Sequence, residues 1–282
     1  MLLDLSKLEN IKLSDGNAKI RIDKFNQRIK IISIDGDIEE LMSRLAPFIT
    51  QHKVGKLVYI AKREKIEEFK KQGFIMEAKV ENFFNGAPGY FLSKFLTYER
   101  KMSIRIPEEE EVLIKAREYI NEDFNYSVKN QFLIRNANKE DAKELAELYH
   151  SIFETYPSPM NDSEYIKFAM DNNVFFKVAV YDGKIVSSAS ADTDPKHLNA
   201  EITDCATKKS HRGTGLMGRL IYELEKELRI KNYKVLYSTA RSISTGMNIV
   251  FAKHNYEYAG RLINHCHICG QFEDMNIWMK TL

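Results

Sequence analysis

The chain has 282 residues, 44% of them hydrophobic and 29% charged, and a net charge of +2. That is enough for two domains with a sizeable core, and its interspersed Lys, Arg, Asp and Glu, with no basic stripe among stacking aromatics, argue against a nucleic-acid partner. No charged start followed by an apolar run opens the sequence, no stretch reaches membrane-span length, and three cysteines suit a reducing compartment, so a cytoplasmic protein with no membrane partner and no disulfide framework is expected.

In chain order, "AKIRID" and "RIKIISI" predict a hairpin, "DIEELMSRLAPFI" a helix, "KLVYIA" a strand, "EKIEEFKKQ" a helix, and "FIMEAKV" and "GYFLSKFL" two strands. An acidic run after a proline opens "PEEEEVLIKAREYINEDFNYSVKN" (107–130), a connecting helix and loop that separates a smaller domain, 1–106, from a second one, 131–282. There "FLIRNA" reads as a strand, and "NKEDAKELAELYHSIF" as a helix with Asn138 as N-cap. "NDSEYIKFAMDNN" follows as a helix, and "VFFKVAVYDGKIVSSASAD" as a hairpin turning at Asp182-Gly183. "NAEITDCAT" is a strand. A glycine loop then enters a helix with Leu216, Leu220, Leu224 and Leu228 on one face. "KVLYSTA" is a strand, "SISTGMNIVFAKH" a helix, and "YEYAGRLI" and "MNIWMKTL" close the chain as strands.

The first part repeats the back half of this order. "FKKQGF" (69–74) stands where "FAKHNY" (251–256) stands, and "FLSKFL" (91–96) parallels "IWMKTL" (277–282). An internal duplication with a truncated first copy accounts for this; the competing account is chance recurrence of a common order. The first copy carries "DGD" (35–37) where the second has its glycines, and two carboxylates there repel a phosphate, so one anion site per chain is expected.

Gly213, Gly215 and Gly218 spell G-x-G-x-x-G, a turn whose free backbone N–H groups and positive helix end suit an anion. "TKKSHR" separates it from its strand and the next strand lacks a terminal acid, so the context of a dinucleotide fingerprint fails; a phosphate loop fails too, with no G-K-[ST]. A strand ending in "DCAT", a basic turn, Arg212-x-x-Gly215 and an amphipathic helix resemble the acetyl-CoA loop of the GNAT N-acetyltransferases. The resemblance implies an α/β (α+β) acyltransferase fold with a mixed, mostly antiparallel sheet, preceded by a smaller degenerate α/β domain of the same kind. It also implies acetyl-CoA as co-substrate. Arg212, Gly213, Thr214, Gly215, Leu216 and Met217 would cradle its pyrophosphate, and Cys205, Ala206 and Thr207 would edge the pantetheine. The family usually has Gly or Ala where Met217 stands.

"TYPSPMND" (155–162), "NAEITDCAT", "GMNIVF" and "FEDMNIWMK", with the extra N-terminal domain carrying "FFNGAPGYFLSKFL", are similar to the β-lysine N-acetyltransferases, which acetylate the terminal amine to make a compatible solute. This resemblance implies a small amine acceptor and a functional link to a lysine aminomutase that supplies β-lysine. An ammonium with a pKa near ~10 needs a base. Glu201, on the strand before the cradle where relatives carry theirs, is the first choice and Asp204 the second; at i, i+3 on a regular strand they should face opposite sides. A backbone N–H of Cys205 or Ala206 is a candidate for the carbonyl oxygen.

Phe251 stands where many relatives have a tyrosine acid, Tyr256 lies nearby without a spacing argument, and the acid stays unassigned. Arg241 and Arg261 are candidates for the acceptor carboxylate, Asp192, Asp194 and Glu273 for its second ammonium, and Tyr156 and Asn161 lie in the loop expected over the acceptor. The single C-x-x-C, Cys266 and Cys269, points to opposite faces of a strand, so no metal is expected. Other amine or lysine acceptors and a non-catalytic acyl-CoA sensor remain alternatives. The first domain has three open roles: a lid, a homodimer surface, or an acceptor wall.

Overall fold

The computed structural model describes residues 6–121 and 124–282; the first five residues of the expected leaderless start and two residues of the connector lie outside them. The elements run β1 (Ser6–Lys12), β2 (Asn17–Asp23), β3 (Arg28–Asp35), α1 (Ile38–Gln51), β4 (Lys56–Ala61), α2 (Ile66–Lys71), β5 (Ile75–Phe84), β6 (Ala87–Phe95), α3 (Tyr98–Lys101) and α4 (Ile106–Arg117), then β7 (Leu133–Asn136), α5 (Ala142–Ile152), α6 (Ser163–Asp171), β8 (Val174–Tyr181) and β9 (Lys184–Asp194), and finally β10 (Asn199–Thr207), α7 (Leu216–Ile230), β11 (Val235–Arg241), α8 (Thr245–Lys253), β12 (Glu257–Ile268) and β13 (Gln271–Thr281).

Local chemistry explains most of these boundaries. Asn138 and Asp141 exchange backbone hydrogen bonds in a capping box ahead of α5. Asp182 (φ 48) and Gly183 (φ 69) supply the two positive φ angles of the β8–β9 turn. Leu216, Leu220, Leu224 and Leu228 bury one face of α7. Among the described residues no helix is long and apolar enough to cross a membrane.

All the strands join one mixed α/β sheet in the order β1-β2-β3-β4-β6-β5-β12-β13-β11-β10-β9-β8-β7. Among the described residues only β3/β4 and β10/β11 pair in parallel. β1 to β6 lie in the order β1-β2-β3-β4-β6-β5, and β8 to β13 in the matching order β8-β9-β10-β11-β13-β12. The two halves meet edge to edge where Ala78 of β5 pairs with Gly260 of β12.

In the first half, Ile20, Ile22, Ile29, Ile31 and Leu57 pack under α1 with Leu41 and Leu45. Because side chains alternate along a strand, Arg21, Asp23, Arg28, Lys30 and Lys56 share the opposite face, away from α1 and α2. The second half covers it. β12 breaks register between Leu262 and Cys266, and the segment beyond is gripped from below. Arg28 donates to the His265 carbonyl (2.9 Å), Lys56 to the Ile263 carbonyl (2.7 Å) and Arg100 to the Asn264 carbonyl (2.8 Å), while Glu77 accepts from the Ile263 N–H (2.7 Å). Beside this grip, Ala78, Val80, Phe83 and Phe91 pack on Val235, Ile277 and Met279 in a core shared by both halves.

Candidate active site

β10 and β11 pair only at Asn199, Ala200 and Glu201, opposite Val235, Leu236 and Tyr237; past Glu201 the two parallel strands separate. Cys205, Ala206 and Thr207 continue β10 beyond that fork, still held to β9 on the other side. Lys208 leads into a turn that ends at Arg212, whose Nε donates to the Thr207 carbonyl (3.3 Å). Gly213 (φ 76) and Gly215 (φ 81) are both left-handed, and a methyl group added to either would meet nothing within 4 Å. Their conformation therefore requires glycine while the space beside them stays open.

Thr214 braces the turn through a hydrogen bond to the His211 carbonyl (2.6 Å), and α7 starts after Gly215 with no side chain capping it. The first N–H groups of α7, which open beside that space, have no hydrogen bond among the described residues. Arg212, Gly213, Thr214 and Gly215 are exposed there. Leu216 and Met217 take part through their backbone, because their side chains turn into the core. The close approach expected near Met217 falls one residue later, at buried Gly218 against Phe124. Open glycines, free N–H groups and a guanidinium fit a diphosphate.

The expectation for the two carboxylates is corrected. Asp204 has a φ of 49° at a bulge between Thr203 and Ala206, which reverses the alternation of β10 and turns its side chain to the face of Glu201. Ser190 donates to its carboxylate (2.6 Å), and Tyr149 of α5 holds its carbonyl (2.8 Å). Burial pushes the Asp204 carboxyl up to about 6, although Ser190 and nearby Tyr156 pull it down. Glu201 accepts from Thr239; burial raises its pKa, Thr239 and Lys30 lower it, and Asp192 and Asp204 raise it further. Asp192, opposite Glu201 on β9, is exposed, yet burial still raises its pKa. A carboxylate that is reachable by water and still desolvated sits in a recess. Tyr156, Tyr165 and Tyr237 are half-buried on the same side, their hydroxyls raised by burial and by these carboxylates.

Other expected acceptor contacts are already engaged. Arg241 pairs with buried Glu273 (2.9 Å) and reaches the Cys269 sulfur, so Glu273 is closed off from an acceptor while Arg241 stays part-exposed. Arg261 bridges Asn276, Glu109 and Glu110 beside α4. Asp194 closes the β9–β10 turn by accepting from His197 and Lys196, and Asn161 is an exposed turn residue ahead of α6. Phe251 and Tyr256 lie ring to ring in the core behind the sheet, so neither is placed to protonate a thiolate. Cys266 accepts from Arg28, and Cys269 falls in the β12–β13 turn rather than on a strand.

Four groups at the recess escaped the sequence reading: Tyr165, Tyr237 and, from the first half, Arg21 and Lys30. Tyr237 lies opposite Glu201 in the parallel register, a pairing that leaves no local signal in the sequence. Nothing local marked the other three either.

A family model described as the acetyltransferase (GNAT) family matches residues 142–256. The chain is 37% identical to the beta-lysine N(6)-acetyltransferase of Methanococcus maripaludis, across 93% of this chain and 95% of the relative. It is 33% identical to the enzyme of that name from Methanosarcina mazei (88% and 98% covered) and 33% identical to the N-acetyltransferase YodP of Bacillus subtilis (98% and 100%). A Salmonella typhimurium acetyltransferase, solved with its cofactor acetyl-CoA, is 18% identical with a TM-score of 0.47, over 54% of this chain and 95% of that one.

Proposed function

The chain belongs to the GNAT family of acetyltransferases, and from that premise we propose that it acetylates the terminal amine of β-lysine, giving N-ε-acetyl-β-lysine as a compatible solute for osmoadaptation. The observation that carries the acceptor is the reach of the likeness to the beta-lysine N(6)-acetyltransferases, which runs through the first half as well as the family-matched region.

Acetyl-CoA, bound at the glycine loop, supplies a thioester whose acetyl group passes to the amine. Arg212 and the N–H groups around Gly213, Gly215 and the start of α7 hold its diphosphate, and the fork between β10 and β11 leaves room for its arm. Glu201 takes a proton from the acceptor ammonium, directly or through water, and its raised pKa brings it nearer to that task than an ordinary carboxylate. The lone pair of the neutral amine then forms the C–N bond as the C–S bond breaks, and CoA leaves as the thiol once it takes up the second proton of the amine. Asp192 and Asp204 add negative charge for the acceptor's ammonium groups. β-Lysine itself must come from a 2,3-amino migration on α-lysine, so an aminomutase has to supply it.

Thiol release from acetyl-CoA tests this with β-lysine beside α-lysine, ornithine and spermidine, followed by mass spectrometry. One acetyl group on the terminal amine of β-lysine, with the others slow, is the expected result. Preference for another amine would sink the acceptor and leave the family.

A further inference from the structure

Two cations of the first half face the recess with nothing bonded to them. Arg21 on β2 and Lys30 on β3 are directly opposite each other in the antiparallel register, on the face away from α1 that the second half covers. Their neighbours one step along, Asp23 and Arg28, form a buried ion pair (2.8 Å), and Lys56 pairs with Glu77 (2.7 Å). Arg21 and Lys30 have no hydrogen bond or ion pair among the described residues. A half-buried lysine without a partner is costly unless something completes it. Across the gap stand Asp192 and Glu201, close enough for Lys30 to lower both pKa values but too far to bond it, and Arg21 acts on Asp192 in the same way. The ground beside Glu201 is apolar: Phe83 and Phe91 of the first half lie against Tyr237, its partner in the parallel register, ring centroids 5.4 and 6.1 Å away.

A recess with cations on one wall, carboxylates on the other and aromatic rings beside them complements an amino acid that carries a carboxylate at one end, an amine at the other and methylenes between. We propose that Lys30, seconded by Arg21, holds the carboxylate of the acceptor, so that the first half of the chain is the wall that selects amino acids over simple diamines. This rests on the acceptor reading above. The groups facing Lys30 are Arg28 and Asp23 beside it, His265 and Cys266 from β12, Asp192 from β9 and Glu201 from β10. Arg28 and burial together lower the Lys30 ammonium to about 8, so it is charged at neutral pH and loses its charge in mild alkali.

The test is steady-state kinetics of the full chain and its Lys30→Met variant with β-lysine and with 1,4-diaminopentane, the same molecule lacking the carboxylate. A charge-assisted hydrogen bond of this kind predicts a roughly 10- to 100-fold rise in KM for β-lysine with kcat little changed. KM for the diamine should stay within about twofold or fall, and acetyl-CoA affinity should stay unchanged, which also shows that the variant is folded. Lys30→Arg should restore most of the loss and remove the wild-type rise in KM above about pH 8. An unchanged KM for β-lysine, or an equal rise for both acceptors, would overturn the assignment of Lys30 alone. Wild-type protein that leaves β-lysine unacetylated would overturn the acceptor reading first and this inference with it.

Discussion

Asp204 shows how much one backbone angle decides at the scale of a residue. Alternation along β10 predicted that it and Glu201 face apart; a single left-handed residue puts both on one side, and Asp is one of the few non-glycine types that adopts that angle readily. The bulge was not legible because nothing in "NAEITDCAT" marks it. The partners of Arg241 and Arg261 were hidden for a different reason: Glu273 and Glu109 are distant in sequence, and an ion pair leaves no local pattern.

With both carboxylates facing one recess, paired variants decide which is the base. Glu201→Gln should lower kcat by about 10²–10⁴ at neutral pH and recover partly in alkali, where more of the acceptor amine is already neutral. Its acid limb, the rise in rate as pH climbs through the raised pKa of Glu201, should vanish. Asp204→Asn should act the other way on stability. The folded pKa of Asp204, about 6, lies above its unfolded value of 3.8, so the folded state holds the extra proton and stability falls as pH rises from about 4 to about 6. Asn removes that cost, on the order of 3 kcal/mol, and should raise Tm at pH 7. A larger loss of kcat in Asp204→Asn than in Glu201→Gln would exchange the two roles.

The elements themselves were mostly legible, because apolar periodicity and capping residues are local signals. β1 was missed: along "SKLENIK" only Ile11 is buried, so an edge strand of this kind shows no alternation. The contrast between α1 and α7 was legible in part. Asp37 caps α1 by accepting from the Glu40 N–H (2.6 Å), whereas α7 begins at a bare glycine. The first helix has filled its own anion site with its own carboxylate. Gly215→Val should accordingly keep the fold, with strain of about 1–2 kcal/mol at the left-handed position, and lose at least about tenfold in acetyl-CoA affinity. Calorimetric titration and a melting curve on the same sample separate the two effects, and unchanged affinity would place the cradle elsewhere.

Across the whole molecule, the shared strand order of the halves supports reading the chain as a duplication, with 1–106 and 131–282 as the copies we propose. Strand order was only partly visible in the sequence, and the edge-to-edge joint was not, since pairing between distant strands has no local signature. Gly260 makes the joint: a side chain there would come within 2.2 Å of the Glu77 carbonyl oxygen and 2.7 Å of Ala78 Cα, both backbone atoms that cannot give way. Gly260→Val should cost more than about 3 kcal/mol by melting and raise KM for the acceptor more than it weakens acetyl-CoA binding, because the cradle lies wholly in the second half. A wild-type Tm would show that the joint yields.

The covered face of the first half also bears on how the chain is made. Residues 1–106 leave the ribosome well before β10 and β12 exist, and a domain emerging first tends to fold first. For that interval the face that will become an acceptor wall meets water. It carries Arg21, Asp23, Arg28, Lys30 and Lys56 beside Ala78, Val80, Phe83 and Phe91, so charges flank an apolar patch that waits for Val235, Ile277 and Met279. The charges that complete the recess in the finished protein border that patch and should limit its sticking during synthesis.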